Sequence, residues 1–419
     1  MSQTDIRNLK DFIGKEVQVN GWAYNMRSIG KIWFVIVRDG TGYVQCVVSK
    51  NDVTEDIFKL ESTLTQESSL SITGTVQEDN RSKGGVEIVA NNINVVHIAD
   101  EYPIALKDHG VSFLMDNRHL WLRSKRQFAI MKIRQRTIKA IRDFFDDRGF
   151  QEVHTQNRLS ILAACEDPTT VATYEYSGQI WPLPQTGQMW LEYELLTRPE
   201  LAGCYCLSTS YRQEQNPKEG RHELIFPMFE FEAPGDFEDL LQMENDLCKH
   251  LGFKAGIEKN MYTEDFPGGF YQSVLAKYTG SELEAHHEEE MYQEYGDVFF
   301  LTHFPQSTSP FWNMKLGEMD VKKQHKLANK CDVIMGGMET IGSAERGTDV
   351  DEMRKQFYTI SEGGYADLLF NLFGKERVEA ELDEFLSHDF IPRYGGGIGV
   401  TRMISAMKRA NLILKNDEE

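Results

Sequence analysis

The sequence predicts an α+β protein in two parts, a small barrel of short strands followed by a larger domain in which helices flank a mainly antiparallel sheet. Three observations carry that expectation. Five strand-like runs lie between residues 15 and 97, separated by turn formers. A connector without periodicity and with a proline, ADEYPIALKDHG, follows them. Beyond it, strands and helices mix without the regular alternation that builds a parallel sheet. A length of 419 residues agrees, because single cores stop growing beyond about 250–300 residues.

In the first part VQVNGWAY alternates apolar and polar residues. IWFVIVRDGTGYVQCVV splits into two apolar runs at the turn Asp39-Gly40-Thr41-Gly42, and LSITGTV and VEIVANNINVV continue the pattern. Five short strands in about 80 residues suit a barrel of the OB type, which gives a domain over residues 1–100 and a connector over 101–116. The second domain, 117–419, opens with a long helix on which Ile130, Ile133, Ile138, Ile141 and Phe145 recur at helical spacing. Gly149 stands where a left-handed cap ends it. Strands are expected at FQEVHT, QIWPLP, CYCLSTSYRQE, LIFPMFEFE, DVFFLTHF, KQFYTI and 393-RYGGGIGV-400, and a helix at 238-EDLLQMENDLCKHLG-252. The segment 282-ELEAHHEEEMYQEYG-296 is rich in metal-ligating residue types, but adjacent histidines do not share a helix face, so it reads as a solvated helix.

Composition narrows the class. No apolar run approaches the ~20 residues of a membrane span, and the start, MSQTDIRNLKDF, lacks the apolar core of a signal peptide, so a cytoplasmic protein is expected. Cys46, Cys165, Cys204, Cys206, Cys248 and Cys331 show no CxxC spacing and read as free thiols. A net charge of −20 argues against nucleic acid, yet nine basic residues and no acidic one lie between Asn117 and Arg142. That stretch is either a solvated helix face or a local RNA-binding patch.

Two segments carry chemistry. The glycines between 395 and 399 cannot open a dinucleotide-binding unit, since too little chain follows. Val400, Thr401 and Arg402 do not supply the Lys and Ser or Thr of a Walker loop. In 211-YRQEQNPKEGRHELIFPMFEFE-232, strand geometry would set Arg212 and Glu214 on one face, with an Arg-His pair and Phe226 across a loop. Such a hairpin suits a nucleotide, with Arg on phosphate, Glu on an adenine amino group and an aromatic on the ring. Ordinary cross-strand ion pairs are the alternative.

Together these segments resemble the class II aminoacyl-tRNA synthetases, in the asparaginyl branch of the group that also holds the aspartyl and lysyl enzymes. Residues 134-RQRTIKAIRDFFDDRGFQEVHT-155 resemble motif 1, 211-YRQE-214 with 221-RHELIF-226 resembles motif 2, and GGGIGVTR resembles motif 3. The N-terminal strands resemble the group's anticodon-binding OB domain. The resemblance implies an ATP- and Mg²⁺-dependent ligase that forms a homodimer and takes tRNA and asparagine as substrates. Arg212 would bridge the α-phosphate and the amino-acid carboxylate. Glu214 and Phe226 would hold adenine, Arg221 and His222 the outer phosphates, Arg402 the γ-phosphate, Gly399 the close backbone approach, and Glu339 the metal. Glu166 and Gln188 would hold the α-ammonium and Arg346 the side-chain carbonyl. Leu191 stands where aspartyl enzymes carry a lysine, which favours Asn over Asp. Phe34, Gln45 and Glu87 would read anticodon bases. Departures at Gln156 (Pro in motif 1), Ile225 (Glu in motif 2), Thr401 (Glu in motif 3) and the ending NLILKNDEE leave a second reading, a relative that adenylates Asn or a similar amino acid for an acceptor other than tRNA.

Overall fold

A computed structural model describes residues 2–413, except 83, 106, 157, 163–167, 218–220, 222, 256–262, 264, 279, 309–310 and 321–324. Cys165, Glu166 and His222 therefore lie outside the described residues. The chain divides into two compact units, Met1–Ser124 and Lys125–Glu419.

The first unit is a closed barrel. Its strands run in the order Ser2–Gln3, Glu16–Ile29, Ile32–Arg38, Tyr43–Ser49, Val86–His97 and Ser69–Glu78. Pairing of Glu16–Ile29 with Ser69–Glu78 completes the circle. Alternation drives it: Trp33, Val35 and Val37, then Val44, Cys46 and Val48, point inward and are buried, while the residues between them are not fully covered. The Asp39 carboxylate accepts from the backbone N–H groups of Thr41 and Gly42, and Gly40 takes φ +88°, a conformation glycine reaches without strain. Residues 117–124, beyond the connector, belong to this unit as well. Arg123 and Arg38 both donate to Glu67, at 2.5 and 2.7 Å, and both lie over the Trp22 ring.

The second unit is built on a mainly antiparallel sheet, ordered Gly268–Phe270, Val298–Pro305, His325–Met335, Met338–Glu345, Arg393–Gly399, Ile225–Pro234, Cys204–Tyr211 and Gln151–Glu152. On one face, helices Lys125–Asp146, Phe237–His250 and Val400–Arg409 close the main core, where Phe145 stacks on Phe229 and packs against Phe231 and Tyr205. Gly149 takes φ +78° just past the first of these helices. Ile130 is 36% exposed and lies off the buried stripe of Ala129, Ile133, Thr137, Ile141, Phe144 and Phe145.

Two sequence expectations change. KQFYTI is not a strand: it ends the helix Val350–Thr359, capped by Asp349, which bonds Glu352 N, and buries Met353, Gln356 and Phe357 on one face. That apolar spacing of three and four is helical, and the β-branched and aromatic content of the short window masked it. The second change concerns 282–296. Its helix, Ala285–Tyr295, buries His287 and Met291 and is not a freely solvated rod.

Candidate active site

Strand alternation makes the opposite face of the sheet. Along Ile225–Pro234, Phe229, Phe231 and Ala233 enter the core, so Met228, Glu230 and Glu232 project to the other side. There the sheet forms the floor of a pocket of about 460 Å³. Every described residue expected at an ATP or amino-acid site lines it: Gln188, Arg212, Glu214, Arg221, Phe226, Glu339, Arg346, Gly399 and Arg402. Arg212 and Glu214 reach it differently from the sequence expectation. The strand stops at Tyr211, and the two residues belong to the following loop, because Arg212 N turns to Leu224 O and Gln213 N to Thr170 O. The Arg212 guanidinium lies 4.8 Å from the Phe226 ring centroid.

One wall is cationic and carboxylate-bearing. Arg402 donates to Glu339 O at 2.7 Å and approaches its carboxylate at 3.7 Å. Arg221 donates to Glu288 at 2.7 Å, and Glu288 also accepts from Glu339 N at 3.0 Å. Behind them stands Asp332, whose Oδ2 accepts from Lys330 and whose Oδ1 is buried with no hydrogen-bond partner among the described residues. Burial, opposed by Lys330 and helped by Glu339, raises the Asp332 carboxyl to about 7.

The floor holds a buried polar network. Glu192 accepts from Arg393 at 2.6 and 3.1 Å and from the side-chain amides of Gln188 and Asn313, each at 2.7 Å. Burial pushes Glu192 up, but Arg393 and Arg346 more than offset it, and its carboxyl lies below the ordinary range. Arg346 donates twice to Glu232, at 2.5 and 3.0 Å, while Glu232 Oε2 is buried with no partner among the described residues. Gln188, its NH₂ committed to Glu192, has a carbonyl acceptor left to offer. Glu230 anchors the helix that carries Gln188, accepting from the Thr186 hydroxyl, Gly187 N at 2.7 Å and the Ser208 hydroxyl at 2.7 Å.

A Cβ at Gly399 would meet nothing closer than 3.6 Å, whereas one at Gly395 would lie 2.0 Å from the Glu232 carboxylate. Gly395 therefore makes room for a buried anion.

In the barrel, Phe34 is only partly buried and outside the core, with Arg27 over its ring at 4.8 Å. Gln45 pairs in register with Glu87 and donates to it at 3.0 Å.

The class II tRNA synthetase family of the D, K and N type matches residues 110–415, and the OB-fold nucleic acid binding domain matches residues 17–96. The chain belongs to the class II tRNA synthetases. An asparagine–tRNA ligase of Pelotomaculum thermopropionicum is 33% identical over 97% of this chain and 95% of its own length. One from Desulforamulus reducens is 42% identical over 59% of this chain and 56% of that relative. The asparaginyl-tRNA synthetase of Pyrococcus horikoshii, solved with asparaginyl-adenylate, superposes with a TM-score of 0.78 at 26% identity, covering 96% of this chain and 94% of that one.

Departures from the synthetase pattern have local reasons. Gly187 stands where the aspartyl enzymes' pattern has a proline, and its N–H is bonded to Glu230, a bond proline has no hydrogen to make. Ile225 opens its strand 63% exposed, and Thr401 lines the pocket. Sequence reading passed over Glu192, Glu232, Asn313, Arg393, Lys330, Asp332 and Glu288. The signal available was charge inside apolar strands, as in FEFE and CDVIM.

Proposed function

We propose that this synthetase activates asparagine with ATP to asparaginyl-adenylate and transfers it to the 3′ end of tRNA. The floor of the pocket carries the reading. Arg346 and Arg393 already face Glu192 and Glu232, and burial, opposed by Arg346, raises the Glu232 carboxyl to about 7; a substrate carboxylate would crowd a further anion into this site, whose cations are already engaged, and an unmatched buried charge costs several kcal/mol. The lining cation Lys330 is engaged by Asp332, and Leu191 offers no charge. A neutral amide fits: Arg346 donates to its carbonyl and the open Glu232 Oε2 accepts from its NH₂.

Around that side chain, the Gln188 carbonyl receives the α-ammonium and Arg212 takes the α-carboxylate and α-phosphate together. There it stabilises the charge that grows as a carboxylate oxygen bonds to the α-phosphorus and pyrophosphate departs. Glu214 and Phe226 hold adenine, and Arg221 and Arg402 take the outer phosphates. Among the described residues no cluster of three or more His, Cys, Asp or Glu is arranged to hold a metal alone. Mg²⁺ needs only one or two carboxylates beside phosphate oxygens, and Glu339 with the unpartnered Asp332 Oδ1 fits that demand. Bound there, Mg²⁺ would neutralise phosphate charge.

Phe34, Gln45 and Glu87 read anticodon bases. The exposed apolar residues Ile130 and Met131 on the first helix support a homodimer, and the buried free thiols support a cytoplasmic setting. Amino-acid-dependent exchange of pyrophosphate into ATP tests the activation step. Asn should be the fastest substrate, and exchange with Asp alone would refute the assignment. Charging of tRNA tests the acceptor: exchange without any charged tRNA would leave the other-acceptor enzyme in its place.

A further inference from the structure

The helix Ala285–Tyr295 carries an acid-rich face that the activation chemistry does not use directly. Two of its glutamates nevertheless grip the ATP-side wall. Glu288 spends one oxygen on the Arg221 guanidinium at 2.7 Å and the other on Glu339 N at 3.0 Å. Glu289 takes Arg409 bidentately at 2.7 and 2.8 Å, and Arg409 also donates to Gly336 O at 2.7 Å, in the turn that leads to Glu339. The Arg221–Glu288 pair is sheltered, with side-chain exposures of 21% and 15%. Its partners lie on three separate parts of the chain: the loop after Tyr211, the strand Met338–Glu345 and this helix.

We propose that Glu288 is a positioning residue for ATP, holding Arg221 and the backbone at Glu339 in the arrangement the outer phosphates meet. This rests on the ATP site argued above. A guanidinium has five N–H donors, so one bond to Glu288 fixes its plane and leaves the others for phosphate oxygens. A flexible Arg would have to be ordered on each binding event, which weakens binding without altering the chemical step.

The test is pyrophosphate exchange by the full-length protein, with KM for ATP, KM for Asn and kcat measured separately. Glu288→Ala should raise KM for ATP about tenfold, leaving kcat and KM for Asn within about twofold. Glu288→Gln, which retains an acceptor, should restore part of the loss. In an Arg221→Ala background the Glu288→Ala effect should shrink to about twofold or less, because the residue acts through Arg221. An unchanged KM for ATP in folded Glu288→Ala, a uniform loss in all three constants, or equal losses in both backgrounds overturns the proposal. If Glu288→Ala fails to fold, the Glu288→Gln cycle decides by the same criteria. Absence of exchange in the parent protein with every amino acid would instead strike the ATP-site reading itself.

Discussion

Arg402 sits 63 residues from Glu339 in the sequence, yet it donates to the Glu339 backbone carbonyl at 2.7 Å, which ties the proposed phosphate arm to the strand that carries the proposed metal ligand. Replacing Arg402 with Ala should lower exchange by roughly 100-fold or more, the scale seen when a charged contact to a transferring phosphoryl group is lost. Retention of full exchange would remove it from the phosphate site. Arg402, Arg212 and Glu214 were legible in the sequence because motifs keep them at fixed offsets from glycines and apolar strands. Glu192 and Arg393 were not, since they lie 201 residues apart and neither has a local pattern. Glu288 was misread for a related reason: a helix rich in glutamate looks solvated until the partner, 67 residues away, is seen.

At the scale of elements, the helix Phe237–His250 places Glu244 fully inside the core, beside Ser343 and Cys331. Burial raises its carboxyl to about 8. The folded state therefore holds a proton that the unfolded chain, with a carboxyl near 4.3, releases above that value. Stability from this group is complete below about pH 4.3, declines as pH rises, and is fully lost above about pH 8. Glu244→Gln should flatten the stability–pH curve between those limits and raise stability at pH 8 by up to a few kcal/mol. Denaturant midpoints measured at pH 5 and pH 8 would check it, and parallel curves for parent and variant would contradict it. Of the strands around this helix, Ile225–Pro234 and Arg393–Gly399 were expected from the sequence, whereas His325–Met335 and Met338–Glu345, which carry Cys331 and Ser343, were not. The helix Val350–Thr359 was not, because a six-residue window holds less than two helical turns.

For the whole molecule, a net charge of −20 coexists with an RNA-binding expectation only if recognition is local. The barrel presents Phe34 with Arg27 over it on its outer surface, the kind of stacking platform single-stranded bases use. Within the stretch from Asn117 to Arg142, Arg123, Lys139 and Arg142 are engaged by Glu67, Asp143 and Glu152, which reduces the charge available there. Phe34→Ala should raise KM for tRNA about tenfold or more in charging while leaving exchange unchanged, because Phe34 and the pocket belong to different units. Equal loss in both assays would argue against anticodon contact.

The strand Ile225–Pro234 serves two masters by parity. Its odd-numbered phenylalanines are folding instructions and its even-numbered glutamates are chemical ones, so a single inserted or deleted residue would exchange the two scripts along its whole length. Such a strand tolerates drift in what each position says but not in how many positions there are. Length, in this stretch, is a constraint in its own right, set by the alternation of the two faces.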